Sequence, residues 1–439
     1  MKKLSKRLFA GIILLSATSV VSMAQSLDVN LQKAIDIALA ENPTIKIADK
    51  DIQLKEVADS EAWQALLPTV DVSLSLSHSI LVSSMKMGGQ VFKMGQDGTT
   101  TATGSLSVAI PVFAPSVYQN MKLTKQDIQL AKEKARSSRL DLINQVTKAY
   151  YAVLLSKDSY EVMQKSYNTA KENFEVVDQK YQVGSVSEYD KISAEVQMRS
   201  MNSSMVSTQT SLTLAMLQLK VLMGINPEIE LNITDSLKAY ESSLTLANTD
   251  SSDGELANNS SLKQIDLNAQ MLQRTQKLLK TNFLPTVSFS LSGQYQSISN
   301  TDWNVFGYKY SPSSSFAFTV SVPVFHASNW TKLKSNRVQI LQLADTRENT
   351  RRQLSMAVES YRRNMVTTLT KIESDREAVK QADKAVDISS KRYEVGRGTI
   401  LELNQSETAL TQAELTYCQS IYDYLSNKAD LDYTLGRGQ

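Results

Sequence analysis

Two periods of hydrophobicity alternate along the chain, one helical and one extended. From Leu142 onward, apolar side chains recur in alternating steps of four and three: Leu142, Val146, Ala149, Val153, Tyr160, Met163, Tyr167, Ala170, Phe174, Val177 and Tyr181, with Ser156 breaking the series. The series returns as Leu354, Val358, Tyr361, Met365, Ile372, Val379, Ala382, Val386 and Tyr393, interrupted by Thr368, Asp375 and Ser389. This is a heptad seam, the pattern of helices that pack side by side as coiled coils. Each seam lies in a stretch without Gly or Pro, residues 116–183 and 326–395. At 1.5 Å per residue, each stretch predicts a helix of about 100 Å. Beyond Gly184 and Gly396, second uninterrupted runs lead back to Met223 and Leu435. Each half of the chain therefore predicts a helical hairpin far longer than a globular core requires.

The second period is two. Val70, Val72, Leu74 and Leu76 alternate with Thr69, Asp71, Ser73, Ser75 and Ser77, and Leu106, Val108, Ile110 and Val112 alternate with Ser105, Ser107 and Ala109. Later, Val287, Phe289 and Leu291 alternate with Ser288, Ser290 and Ser292, and Phe316, Phe318, Val320 and Val322 alternate with Ala317, Thr319 and Ser321. These predict four strands of about ten residues, apolar on one face and small and polar on the other. A transmembrane β-barrel reads this way, lipid outside and water inside. So does a soluble antiparallel sheet with one buried face. Trp63, Trp303, Tyr308, Tyr310 and Trp330 flank the strands, where aromatic girdles belong in a barrel. Four strands cannot close a barrel, since bacterial examples begin at about eight, and open edges are not viable in lipid. A barrel would need strands pooled from several chains.

The two halves are repeats. Pro111-Val112-Phe113 returns as Pro323-Val324-Phe325, Tyr181 with Val183-Gly184 as Tyr393 with Val395-Gly396, and Gly224 as Gly436, each 212 residues on. Upstream the offset is 217, pairing Asn42 with Asn259 and Leu67-Pro68-Thr69-Val70 with Leu284-Pro285-Thr286-Val287. The five-residue change falls between Val70 and Pro111, which predicts a loop there. The expected divisions are a first repeat over 25–224, a joining segment over 225–257 that is rich in Ser, Asn and Asp, and a second repeat over 258–439.

Composition narrows the function. Lys2, Lys3, Lys6 and Arg7, the apolar run Leu8 to Val21 and the small-x-small Ser22-Met23-Ala24 read as a secretory signal peptide over 1–24. Removing its four positive charges takes the formal charge from +2 to −2, which speaks against a nucleic-acid partner. One cysteine, Cys418, and two histidines, His78 and His326, leave little material for zinc sites, disulfides or His-based catalysis. No enzymatic reaction and no cofactor are expected.

The order and spacing of these features, twice over, resemble the TolC family of outer-membrane efflux and secretion channels, across essentially the whole mature chain. The resemblance rests on the Leu-Pro-Thr-Val that opens a strand, the Pro-Val-Phe that closes one, and the Tyr-x-Val-Gly turn. It implies a mainly α fold with a β-barrel part: a homotrimer with a 12-stranded barrel in outer-membrane lipid and a periplasmic α-barrel of long helical hairpins. The implied function is passive export in a tripartite efflux or type I secretion system, with a periplasmic adaptor (membrane fusion protein) and an inner-membrane pump of RND or ABC type. The alternative is a periplasmic coiled-coil scaffold without a channel. The resemblance makes Val183, Gly184, Ser185, Val186 and Ser187, and Val395, Gly396, Arg397, Gly398 and Thr399, the tips that dock the adaptor; an ordinary glycine helix stop followed by a Ser or Thr cap also accounts for these residues. It further implies a periplasmic constriction at Asp190, Glu402 and Gln405, where this chain departs from the family by carrying Gln405 in place of a second carboxylate and Gly398 in place of an arginine. A solvated helix face is the other reading of these three.

Overall fold

In a computed structural model, residues 27–93, 96–244, 254–300 and 305–438 are described; the expected signal peptide and Trp303 lie outside them. The chain opens with strand β1 (Leu27–Asp28), helix α1 (Leu31–Glu41) and helix α2 (Pro43–Gln64). Asn42 separates the two helices and caps α2 by accepting from the Thr44 amide at 2.8 Å, with Pro43 in the first helical position. Strand β2 (Thr69–Ser79), the short strands β3 (Ser84–Met87) and β4 (Gln90–Lys93), and strand β5 (Thr99–Phe113) follow. The expected loop after β2 is therefore a small antiparallel hairpin, turned by Gly88 and Gly89 at φ 61° and 84°.

Helix α3 (Pro115–Gln182) and helix α4 (Glu188–Met223) form the first long hairpin. Strand β6 (Leu231–Asn232) and a 3-10 helix (Leu237–Ser243) lead toward helix α5 (Ser260–Thr281), strands β7 (Thr286–Ser299) and β8 (Ser311–Ser321), and the second hairpin of helix α6 (Ala327–Glu394) and helix α7 (Ile400–Thr434). Both α3 and α6 span 68 residues, about 100 Å. Every seam position named on α6, from Leu354 to Tyr393, is buried or half-buried. Two of its polar interruptions are bridged to α7: Ser420 donates to Asp375 at 2.6 Å, and Ser389 to Ser406 at 2.7 Å. A polar group in the seam thus keeps a partner instead of a desolvation cost.

The repeat has a physical counterpart where α4 and α7 end. Gly224 (φ 70°) and Gly436 (φ 68°) stop the helices in the left-handed region. Asn42 donates to the Leu222 carbonyl and Asn259 to the Thr434 carbonyl, both at 2.7 Å. The repeated Asn and Gly therefore touch one another: a Cβ on Gly224 would lie 2.9 Å from the Asn42 backbone, and one on Gly436 would collide with the Asn258 carbonyl. Around this level sits the main core, centred on Tyr150, Leu154, Leu219, Ile421 and Tyr424. Part of the joining segment belongs to it. Leu231, Ile233 and Leu237 are buried, β6 pairs in parallel with β1, and Lys157 donates to the Ile233 carbonyl at 2.8 Å.

The four long strands form one antiparallel sheet in the order β2-β5-β7-β8. Its register aligns Val72 with Leu106, Val108 with Leu291, and Phe289 with Phe318, so one face collects the apolar side chains. The other collects serines, with Ser73 and Ser105 at 2.6 Å and Ser292 and Ser315 at 2.9 Å. Two expected positions shift. A bulge between Pro111 and Phe113 sets Phe113, not Val112, opposite Val287, and Val322 falls one residue beyond the end of β8. Among the described residues, no helix is long and apolar enough to cross a membrane.

Candidate functional site: helical tips and strand faces

The two tips are built alike. At the first, Gly184 takes φ 74°, its amide donates to the Tyr181 carbonyl at 2.9 Å, and the Ser185 amide reaches the Lys180 carbonyl at 2.8 Å. At the second, Gly396 takes φ 70°, with the matching bonds to Tyr393 at 3.1 Å and from Arg397 to Arg392 at 2.8 Å. This is the Schellman closure, which satisfies the carbonyls orphaned at a helix end. Val183 and Val395 stand out at 79% and 70% exposure, and nothing lies within 4 Å of a Cβ placed on either glycine. Of the ten expected docking residues, Val186 instead packs inward on the small core beneath the tips, and Gly398 is half-buried against Arg392 and Tyr393.

Asp190 and Glu402 acquire a local task. The Ser187 hydroxyl accepts from the Asp190 amide at 3.2 Å while Asp190 Oδ2 accepts from the Ser187 amide at 3.1 Å; Thr399 and Glu402 repeat this at 3.2 and 3.4 Å. These are capping boxes. The sequence carries the signal as Ser-x-x-Asp and Thr-x-x-Glu, of which the Ser and Thr caps are the first half. Glu402 also lies 3.6 Å from Arg392 of the preceding helix, so a salt bridge forms without an arginine at 398. Gln405 is exposed one turn further along.

Both hairpins meet just behind the tips. Val177 of α3, Ala194 of α4 and Ile400 and Leu403 of α7 are buried together, with Tyr393 against them. Desolvation raises the Tyr393 phenol above its usual value, and the Asp190 carboxylate adds to the shift. Lys191 pairs with Asp178 at 2.6 Å, and this hydrogen bond raises the lysine and lowers the carboxyl from their ordinary values. Further from the tips the contact between hairpins becomes polar: Asn173 to Glu407 at 2.6 Å, Ser166 with Thr411 at 2.7 Å, and Gln197 to Thr408 at 3.1 Å.

At the other end, the sheet is a single layer. Leu74 is 84% and Phe316 72% exposed, so among the described residues no layer covers the apolar face. Phe283 and Trp330 stack edge to face at 5.1 Å where the strands meet the helices. Among the described residues, no cluster of His, Cys, Asp or Glu could hold a metal ion.

Comparison with known proteins agrees with this architecture. The profile of the outer membrane efflux protein family matches residues 34–225 and 252–437. The chain is 23% identical to outer membrane protein TolC of Salmonella enteritidis over 435 residues, covering 96% of this chain and 84% of the relative. Its fold matches the Campylobacter jejuni CmeC outer membrane channel (TM-score 0.73, 17% identity, 92% of this chain and 85% of that one). It also matches the open state of the Neisseria gonorrhoeae MtrE outer membrane channel (TM-score 0.72, 18% identity, 93% and 89%).

Proposed function

The chain belongs to the outer membrane efflux protein family, and from that premise we propose that three copies form a passive export duct from the periplasm through the outer membrane. The observation that carries this reading is the single-layer sheet. Its register gathers the long apolar side chains, Ile298 near the end of β7 excepted, onto one uncovered face and serines onto the other, while β2 and β8 remain at its edges. Backbone edges and an apolar face of this kind are stable in a bilayer once neighbouring copies supply the missing strands. The apolar positions from Val70 to Leu76, Leu106 to Ile110, Val287 to Leu291 and Phe316 to Val320 then meet lipid, and the hydroxyl face lines water. The two repeats, 25–224 and 258–439, act as equivalent halves of each subunit, joined by 225–257.

The exposed turns at Gly184 and Gly396 dock a periplasmic adaptor, and a pump of RND or ABC type in the inner membrane supplies the energy, since the duct itself carries out no reaction. The duct is narrowest where Asp190, Glu402 and Gln405 approach the threefold axis. Their capping boxes hold the two carboxylates close to the helix ends, and six such charges at one level would favour cations. The test is planar-bilayer conductance of the purified protein beside an Asp190→Asn, Glu402→Gln double variant. The wild type should conduct with a cation preference that the variant loses. Absence of conductance would overturn the duct, and unchanged selectivity would remove these residues from the constriction.

A further inference from the structure

The β3–β4 hairpin is an unexplained feature of the membrane end. Among the described residues it occurs in the first repeat alone, and its equivalent in the second is the shorter connection between β7 and β8. It is tied down firmly for a surface hairpin. The Gly98 amide donates to the Ser79 carbonyl at 2.8 Å, the Val82 amide to Asp97 at 2.9 Å, and Lys93 pairs with Asp97 at 2.6 Å. The two-residue glycine turn allows little slack in its register.

Its surface is amphipathic in a specific way. Met85 and Met87 alternate along one face of β3, while Lys86 shares the opposite face with its cross-strand partner Val91. Met87 is 64% exposed, and Ile80 and Leu81, just past the end of β2, are each 79% exposed. Past Leu76 the apolar face of β2 is interrupted by His78, whose ring hydrogen-bonds the Thr100 hydroxyl at 2.9 Å, and exposed apolar side chains resume at Ile80. In the second repeat the corresponding connection exposes Phe306 fully. Exposed apolar side chains thus resume beyond His78 and lead into the hairpin, and a lysine stands on the side away from the methionines.

We infer that this hairpin is an interfacial anchor: its Met85 and Met87 face lies in the acyl chains of the outer leaflet, and Lys86 reaches the lipid phosphates. The inference rests on the duct reading, in which the apolar face of β2 meets lipid. Unbranched methionines adapt to disordered acyl chains, and a long lysine stem keeps its ammonium among headgroups while its methylenes stay in the apolar zone. An amphipathic element with these two faces partitions to the membrane interface through apolar burial together with attraction to anionic lipid.

The experiment uses the full-length protein in a Cys418→Ala background, carrying a polarity-sensitive fluorophore on a single introduced cysteine at Met87→Cys, Leu74→Cys or Ser75→Cys. Each is reconstituted in phosphatidylcholine and phosphatidylglycerol vesicles with or without acyl-chain bromines as quenchers. Leu74 should be quenched and Ser75 spared, with quenching at Met87 of the same order as at Leu74. Quenching at Leu74 without quenching at Met87, accompanied by access of aqueous iodide to Met87, overturns the anchor and leaves the duct intact. Lack of quenching at Leu74 overturns the duct reading itself. Omitting phosphatidylglycerol should reduce the Met87 signal in the parent and leave it unchanged after Lys86→Gln; equal reductions in both would exclude attraction of Lys86 to anionic headgroups.

Discussion

Glu407 holds a carboxyl half-buried between the two hairpins, where it accepts from Asn173 of α3 and faces a cavity of about 150 Å³ that Lys165, Asp383 and Glu414 also line. Desolvation raises its pKa above the ordinary 4.5, and the Asn173 hydrogen bond only partly opposes the shift. A carboxyl whose folded value is raised contributes stability that is complete below the unfolded value and is lost as pH rises through the folded value. Glu407→Gln keeps an oxygen for Asn173 and removes the charge. Thermal unfolding should therefore find the variant more stable than the parent at neutral pH, with the difference vanishing below about pH 4.5; a variant less stable at pH 7 would contradict this. Glycines allow a second comparison at the same scale. Gly184 and Gly436 both have positive φ, but only Gly436 meets backbone where its Cβ would stand. Gly184→Ala should cost about 1 to 2 kcal/mol, the left-handed penalty alone, and Gly436→Ala clearly more, because Asn258 must move as well. Equal losses in a denaturant titration would show that the Asn258 contact yields freely.

At the scale of elements, the strands make the sharper test. Leu74 and Ser75 are neighbours on β2 with opposite faces, so changing each to Arg alters the same strand with the same residue. Near the bilayer midplane Leu74→Arg should impair insertion by about 2 to 4 kcal/mol, and Ser75→Arg should be much milder; the amounts of heat-resistant oligomer in outer membranes report the difference. Both kinds of element are legible in the sequence because their patterns are redundant. The seam on α3 survives Ser156, and that on α6 survives Thr368, Asp375 and Ser389, because the remaining positions still mark one stripe over about 40 residues of each helix. Small or polar residues at every second position, most of them serine, do the same for the strands. The hairpin β3–β4 is not legible in this way: its strands are four residues each, too short for a period, and only Gly88-Gly89 marks it. Nor is the packing of residues 231–237, whose burial depends on remote partners such as Asp158, 79 positions from the Leu237 amide that it accepts from. The tips were half legible. Spacing identifies the turns, and Ser-x-x-Asp and Thr-x-x-Glu mark the capping boxes of Asp190 and Glu402, but the inward packing of Val186 depends on the neighbouring hairpin and has no local signal.

For the whole molecule, assembly must account for the two sheet edges. In the order β2-β5-β7-β8, the edge strands of one chain are separated by three interstrand spacings, about 14 Å at roughly 4.8 Å each. A disulfide requires Cα atoms within about 4.4 to 6.8 Å, so β2 and β8 cannot be bridged within a chain that keeps this sheet. Closure by neighbouring copies would bring β2 of one subunit against β8 of the next. In a Cys418→Ala background, Ser73→Cys combined in turn with Ser313→Cys, Ser315→Cys or Ala317→Cys scans three positions on the hydroxyl face of β8. At least one pair should oxidise in outer membranes to covalent dimers and trimers on a denaturing gel, with each single variant remaining monomeric there. A ladder that ends at three supports a closed ring of three copies. Intramolecular bridging would mean that the four strands do not form the observed open sheet in the membrane, and a ladder continuing past three would replace the closed trimer with an open-ended array.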